Sequence, residues 1–206
     1  MKIELKADIK QLTKKLNKVQ RKQIPFATAQ AINEVAFKAR KALMAQSKKK
    51  LDRPTPFTVK GFQVVKAKKT SLTAIVYVDS KRAKYMQFQI EGGIRTPNKR
   101  AIPVPVQKNV ALNKYGNMPR KKINTLLNNV KIFSGKPKGQ GRNANAPAGI
   151  WKRKNKNNKL KLLVSYEPFV KYDARFPFYK IVTKVVESTF EGTFKKHLSK
   201  AILTSR

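Results

Sequence analysis

The chain has 206 residues, and its 48 Lys and Arg outnumber its 10 Asp and Glu, so its formal net charge is +38 at pH 7. A compact protein with this charge repels itself, which points to an anionic partner: nucleic acid, an acidic protein surface or an anionic membrane. The hydrophobic fraction of 40% is enough for a folded core, and the absence of cysteine excludes disulfides and thiolate chemistry.

The N-terminal part predicts a short strand followed by two helices. Residues 1–5 fit the strand. From Asp8, which we predict as an N-cap, apolar residues recur at helical spacing up to Val19. Pro25 is expected to interrupt this helix and to start a second one as a first-turn residue. The second helix ends near residues 48–50, and its apolar stripe consists of Phe26, Ala29, Ile32, Val35, Ala36, Ala39 and Leu43.

The next part of the chain predicts antiparallel strands. After a stiff linker at 53–56, residues 62–66 and 72–78 are rich in β-branched and aromatic side chains, and residues 68–71 suit a hairpin turn. A short helix is expected over 81–90, ended by Gly92 and Gly93, and residues 94–100 form a basic loop. Residues 102–106 are extended, and their prolines restrict them to a sheet edge or a groove.

The C-terminal half predicts two more helices and another strand pair. One helix is expected over 119–130, with Asn117 as its cap and Ile123, Leu126, Leu127 and Val130 buried. Residues 134–148 are rich in Gly, Pro, Asn and Lys and are expected to be a mobile basic loop. Residues 150–154 and 160–166 pair as strands. The last helix begins near Phe176 and has the strongest amphipathic pattern in the chain.

This order of elements predicts the fold class. Strands and helices of similar length do not alternate, which argues against a parallel doubly wound sheet. We therefore expect an α+β fold with antiparallel strands packed against long N-terminal and C-terminal helices. The expected organisation is a single domain over residues 1–206.

The sequence offers little for catalysis. His197 is the only histidine and lies among lysines, and the ten acidic residues are scattered. The glycine-rich residues 135–141 lack the pattern of a phosphate-binding loop. We therefore expect no enzyme, no cofactor and no metal site.

Basic clusters make nucleic-acid binding a serious possibility. The sequence contains no zinc finger, helix-turn-helix or RNP motif, so contacts would be with phosphates and largely independent of sequence. A solvated surface or a surface facing an acidic protein is the open alternative. The aromatic run 169–179 could stack on bases, although core packing is favoured. The candidate contact residues are Arg53, Lys66, Lys68, Lys69, Arg95, Lys99, Arg100, Arg120, Lys121, Lys122, Lys136, Lys138, Arg142, Lys152 and Arg153.

Several segments resemble a family of phage morphogenesis proteins. Residues 24–36, IPFATAQAINEVA, are similar to the Ala-rich helix of the lambda-type minor tail protein Z family. The segments RPTPFT (53–58), EGG (91–93), YGNM (115–118) and GIWKR (149–153) look like segments of prophage proteins of this length. The closing RFPFY (175–179), followed by a helix with Phe190 and Phe194, also fits.

The resemblance implies a tail-completion or neck protein that forms a sixfold or twelvefold ring at the head–tail junction. Its implied partners are portal or adaptor proteins, tail proteins and possibly packaged double-stranded DNA. Its implied location is the virion, and the host cytoplasm during assembly. Loops 94–100 and 134–148 are expected to contact neighbours or DNA. The unusual Lys and Asn content and the long basic loop depart from the family. A sequence-independent nucleic-acid-binding protein is the alternative, and a membrane-surface role for the last helix is a third.

Overall fold

The computed structural model describes residues 1–7, 18–98, 100–138, 145–154 and 159–204, without the side chains of 18–22. The helices are α1 (Lys18–Lys50), α2 (Pro56–Val59), α3 (Ser80–Ile90), α4 (Lys122–Leu127) and α5 (Phe178–Leu203). The strands are β1 (Lys2–Lys6), β2 (Phe62–Val65), β3 (Thr73–Val78), β4 (Gly93–Arg95), β5 (Ile102–Pro105), β6 (Ile132–Gly135), β7 (Gly149–Arg153), β8 (Leu160–Glu167) and β9 (Val170–Tyr172).

The fold is α+β with antiparallel sheets, and the long N-terminal and C-terminal helices pack on strands, as the sequence predicts. The chain divides into two compact units, each with its own hydrophobic core. The terminal unit comprises Met1–Glu91 and Ala174–Arg206, and the central unit comprises Gly92–Asp173. The single domain over residues 1–206 stays a prediction.

In the terminal unit, α1 and α5 pack against one face of a three-stranded sheet of order β1-β3-β2. The hairpin of β2 and β3 was predicted, and its turn closes through paired hydrogen bonds between Lys68 and Ser71. Phe176 and Phe178 are fully buried beside Phe62, with ring centroids 5.7 and 6.3 Å from its ring. These two members of the aromatic run are therefore core residues, which leaves them unable to stack on bases.

The predicted helix start at Pro25 is wrong, because α1 runs without interruption from Lys18 through Pro25. Proline removes one helical hydrogen bond and crowds the preceding turn. Around it, Ile24, Ala27 and Thr28 are buried, and the Thr28 hydroxyl donates to the Ile24 carbonyl at 2.7 Å. Burial of this turn offsets the lost bond. Most of the helix predicted from Asp8 to Val19 lies outside the described residues.

A second correction concerns α4, which is half the predicted length. The backbone N–H of Asn117 donates to Oδ1 of Asn113, so Asn117 belongs to a turn and does not cap α4. Val130 is 91% exposed and Leu127 is 41% exposed, against the expectation that both are buried. The helix has only six residues, and it packs one side, through Ile123 and Leu126, on the central core.

The central unit contains a four-stranded sheet of order β5-β8-β7-β6 and a separate pair of β4 with β9. Strand β5 lies at the edge of the sheet, as its prolines predicted. There, the missing N–H groups of its two prolines remove no hydrogen bond to a neighbouring strand. Of the loop predicted at 134–148, Ser134 and Gly135 belong to β6, and Pro137 and Ala146 are buried. Residues 139–144 lie outside the described residues.

One carboxylate connects the two long helices. Glu34 of α1 accepts a hydrogen bond from Lys38 at 2.8 Å and lies 2.8 Å from Nε2 of His197 on α5. Lys196 of α5 lies 3.7 Å from the same carboxylate, and Lys38 also donates to Thr193 of α5 at 3.2 Å. The hydrogen bonds from Lys38 and His197 lower the pKa of Glu34 from 4.5 to about 2. The lone histidine thus has an acidic partner, distant in sequence.

We predict that Glu34→Gln lowers the free energy of unfolding by about 1 kcal/mol at neutral pH, since the carboxylate retains 30% exposure and water screens it. The pKa of Glu34 is depressed in the folded state. The contribution of the Glu34 carboxylate to the free energy of unfolding is therefore fully present above about pH 4.5 and is lost as the pH falls through about 2. Urea unfolding of wild type and variant as a function of pH measures this: the gap between them should close across that interval.

The matched control is Glu191→Gln, which removes an exposed ion pair with Lys195 on the same helix α5. We expect a smaller loss from this change than from Glu34→Gln, because water and salt screen an exposed ion pair. Equal stability of Glu34→Gln and wild type at neutral pH would contradict the role of Glu34.

Candidate polyanion and partner interface

Ion pairing differs between the two units. The central unit has 19 Lys and Arg but only two acidic residues, Glu167 and Asp173. All ion pairs among the described residues lie in the terminal unit. The described cations of the central unit therefore have no carboxylate partner within the chain, and their charge is available to an external anion.

The densest group of these cations lies at one end of the β6-β7-β8 sheet. We name it the β7–β8 basic cluster. In the ladder, Lys152 of β7 stands directly opposite Lys161 of β8, and the backbone of Arg153 bonds to Lys131 next to β6. Like charges directly opposite each other destabilise a sheet, so a gain in stability does not explain the Lys152–Lys161 pair. The members of the cluster are Lys131, Lys152, Arg153, Lys154, Lys159 and Lys161.

Arg153 is the member of this cluster whose side chain is held in place. Its guanidinium lies 4.6 Å from the ring centroid of Phe133 on β6, and Nη1 donates to the Val130 carbonyl at 3.4 Å. A guanidinium fixed by stacking loses little freedom when it binds a planar or tetrahedral anion in a forked geometry. Because successive strand residues face opposite sides, Arg153 and Phe133 lie on one face of the sheet and the Lys152–Lys161 pair lies on the other. The cluster thus offers lysine charge on one face and an oriented arginine on the other, both suited to phosphates or carboxylates.

The other predicted residues of the central unit are dispersed. Arg95 lies in β4 beside Ile94, which is 61% exposed, and β4 pairs with β9 next to the exposed Phe169. Residues 120–122 precede or begin α4, where positive charge opposes the helix dipole and does not stabilise the helix. Exposed side chains belong to Arg95, Arg100, Arg120, Lys121, Lys136 and Lys138, and Lys122 is half-buried.

The predicted residues of the terminal unit have local partners. Arg53 forms a two-fold hydrogen bond with Asp52, at 2.9 and 3.0 Å, and has a left-handed φ of 43°. Lys66 lies 5.6 Å from the ring centroid of Phe37, while Lys68 and Lys69 are exposed in the hairpin turn. Since Arg53 is already paired with a carboxylate, it is a poor candidate for binding an external anion.

Two predicted contact residues, Lys99 and Arg142, lie outside the described residues. Sequence reasoning missed Lys131, Lys159 and Lys161, which complete the cluster around Lys152 and Arg153. Lys161 sits inside an apolar strand pattern, and only the strand register shows that it faces Lys152. For Lys131, the sequence offered one indication of its place in the cluster, namely its position next to an apolar run.

Comparisons with protein-family models, with curated proteins and with solved structures found no match to this chain. Within the described part of the chain, no helix has both the length and the apolar character needed to cross a membrane. In the same residues, no three His, Asp or Glu side chains come together as a metal site.

We predict that Lys152→Glu/Arg153→Glu weakens binding of nonspecific double-stranded DNA at least about tenfold at moderate salt. The slope of log affinity against log salt should fall by roughly 2, because two phosphate contacts are lost. Fluorescence anisotropy across a salt series measures both quantities.

The control is Lys81→Glu/Lys84→Glu, which makes the same charge change at two exposed positions of α3. Both double variants change the net charge equally, so a general field effect would weaken binding equally. An equal loss in the two variants would exclude a local site at the β7–β8 basic cluster.

Proposed function

We propose that this chain is a phage virion structural protein of the head–tail junction, of the tail-completion, neck or connector type. In this proposal its copies form a ring that joins head and tail. The observation that carries the proposal is the combination found on the central unit, where cations without carboxylate partners lie beside exposed apolar side chains. The sequence resemblance to lambda-type tail proteins adds support.

Exposed apolar side chains favour protein partners over nucleic acid alone. The exposed Val130 and the half-buried Phe133 adjoin Arg153, and the exposed Ile94 and Phe169 adjoin Arg95. Phosphate backbones offer little to apolar side chains, whereas protein interfaces combine apolar contacts with arginine. Both compact units expose such side chains, as expected for a protomer with neighbours on more than one flank. The terminal unit exposes Phe26, Phe37, Phe57, Val65, Tyr179, Ile202 and Leu203.

The electrostatics set a condition on assembly. A ring of identical copies places charges of +38 side by side, and their repulsion requires counter-charge. In the proposed mechanism, acidic surfaces of portal or tail proteins, packaged DNA, or both supply it. The isolated protein should therefore not form stable rings in buffer of low salt, and observing such rings would contradict this condition.

A second candidate is a sequence-independent nucleic-acid-binding protein. The observation that favours it is the cross-strand pairing of Lys152 with Lys161. Lysine neutralises phosphates as a point charge without reading bases, and Lys makes up 37 of the 48 basic residues. This candidate predicts a role in binding or packaging DNA without a role in joining structures.

The test is genetic and structural. In the phage genome that encodes the chain, a stop codon early in the gene should yield DNA-filled heads and separate tails, as seen by electron microscopy. Wild-type protein supplied in trans should restore joined particles, because the ring would again connect head and tail. Lys152→Glu/Arg153→Glu should restore far fewer, since reversed charge repels acidic partners.

Lys81→Glu/Lys84→Glu supplied in the same way controls for net charge and should restore joining. Heads without DNA in the stop-codon mutant would favour the nucleic-acid-binding candidate. Intact, infectious particles that lack the protein would contradict the proposed function.

A further inference from the structure

The two edges of the terminal sheet differ. Side chains of α1 cover the β2 edge: Arg40 donates to the Phe62 carbonyl at 2.8 Å, and Asn33 exchanges two hydrogen bonds with the backbone of Ala67. These contacts occupy backbone groups that would otherwise recruit another strand. Side chains of α1 therefore cover part of the β2 edge and leave it less open to an added strand.

The β1 edge has no such cover among the described residues of the terminal unit, 1–7, 18–91 and 174–204. Strand β1 pairs with β3 alone, and the alternation of the ladder leaves the backbone groups of Lys2, Glu4 and Lys6 pointing away from β3. A cleft of about 350 Å³, partly lined by Val186 and Phe190 of α5, adjoins this edge. A strand added at β1 would cover the mouth of this cleft.

The charge pattern of β1 selects the strand that fits. Successive side chains alternate between the two faces, so Lys2, Glu4 and Lys6 share the face opposite Ile3 and Leu5. In one copy, Glu4 lies 3.3 Å from the Lys2 ammonium and 3.1 Å from the Lys6 ammonium. A row of Lys, Glu and Lys is complementary to its own antiparallel copy when one strand is shifted along the other, so that Glu4 of each copy faces a lysine of the other.

We propose that β1 is a self-association site, at which two copies pair their β1 strands antiparallel and extend the three-stranded sheet to six strands. With Leu5 opposite Leu5 of the second copy, Glu4 faces Lys6 twice. With Ile3 opposite Ile3, Glu4 faces Lys2 twice. Opposite charges facing each other stabilise such pairs, and the remaining register, with Glu4 opposite Glu4, is disfavoured by like charges.

This contact is isologous, since the same patch serves both copies, and it does not depend on the proposed function. A ring at a head–tail junction uses heterologous contacts, and an assembly with additional two-fold axes contains both kinds. The pairing is local, and physiological salt screens the remaining charges beyond about 8 Å. Self-repulsion of the two copies is therefore weaker at physiological salt than in buffer of low salt.

The test is a charge exchange measured by sedimentation equilibrium at physiological ionic strength. Wild type should show a mass twice its 23.5 kDa at high concentration. Glu4→Lys, and separately Lys2→Glu/Lys6→Glu, should each raise the dimer dissociation constant about tenfold or more, because every register then opposes like charges. Mixing these two variants should restore a dimer containing one copy of each.

Rescue within one chain identifies the register. Glu4→Lys/Lys6→Glu should dimerise if the strands are centred on Leu5, and Lys2→Glu/Glu4→Lys should dimerise if they are centred on Ile3. Asp52→Lys, the same charge change on the loop after α1, should dimerise like wild type, and circular dichroism checks that each variant is folded. A monomeric wild type, dimerisation of Glu4→Lys equal to wild type, or failure of the mixed variants to pair would overturn the proposal.

Discussion

The shortage of carboxylates is the constraint that organises this molecule. With ten acidic residues against 48 basic ones, most positive charges cannot be compensated within the chain. Three of the carboxylates that form ion pairs stand at structural junctions of the terminal unit. Glu34 connects α1 with α5, Asp79 caps α3 and pairs with Arg82, and Asp52 holds Arg53 after α1. Both units keep an excess of positive charge, and the central unit has no ion pair among its described residues, which supports the anionic partner that we propose.

The two units therefore differ in character. The terminal unit is a scaffold in which long helices cover a small sheet, aromatic rings fill the core, and Glu34 connects the two long helices. The central unit has a smaller core, and the like charges of its Lys152–Lys161 pair lower the stability of its sheet. Within one chain, a stable body and a charged contact surface fit the proposed role in assembly, where binding to neighbours supplies the missing counter-charge.

Local sequence patterns predicted most elements of the fold. The β2–β3 hairpin, α3, the edge position of β5 and the amphipathic α5 follow from periodicity, turn residues and proline. Pro25 misled the prediction, since burial of the surrounding turn outweighs the local preference of proline. The burial predicted for Val130 failed because α4 is too short to turn that position toward the core. Two of the six members of the candidate site, Lys152 and Arg153, were predicted. Lys131, Lys159 and Lys161 depend on strand register and on contacts distant in sequence, which a linear pattern does not encode.

The most direct test of the account is to identify the neighbours of the β7–β8 basic cluster in assembled particles. Cross-linking of intact virions through lysine, followed by mass spectrometry, reports which proteins lie within reach of Lys152 and Lys161. The account predicts cross-links from these lysines to proteins of the head–tail junction or to neighbouring copies of the chain, with Lys81 and Lys84 as internal references. Absence of the chain from purified virions, or a cluster whose lysines cross-link to no virion protein while Lys81 and Lys84 do, would contradict it.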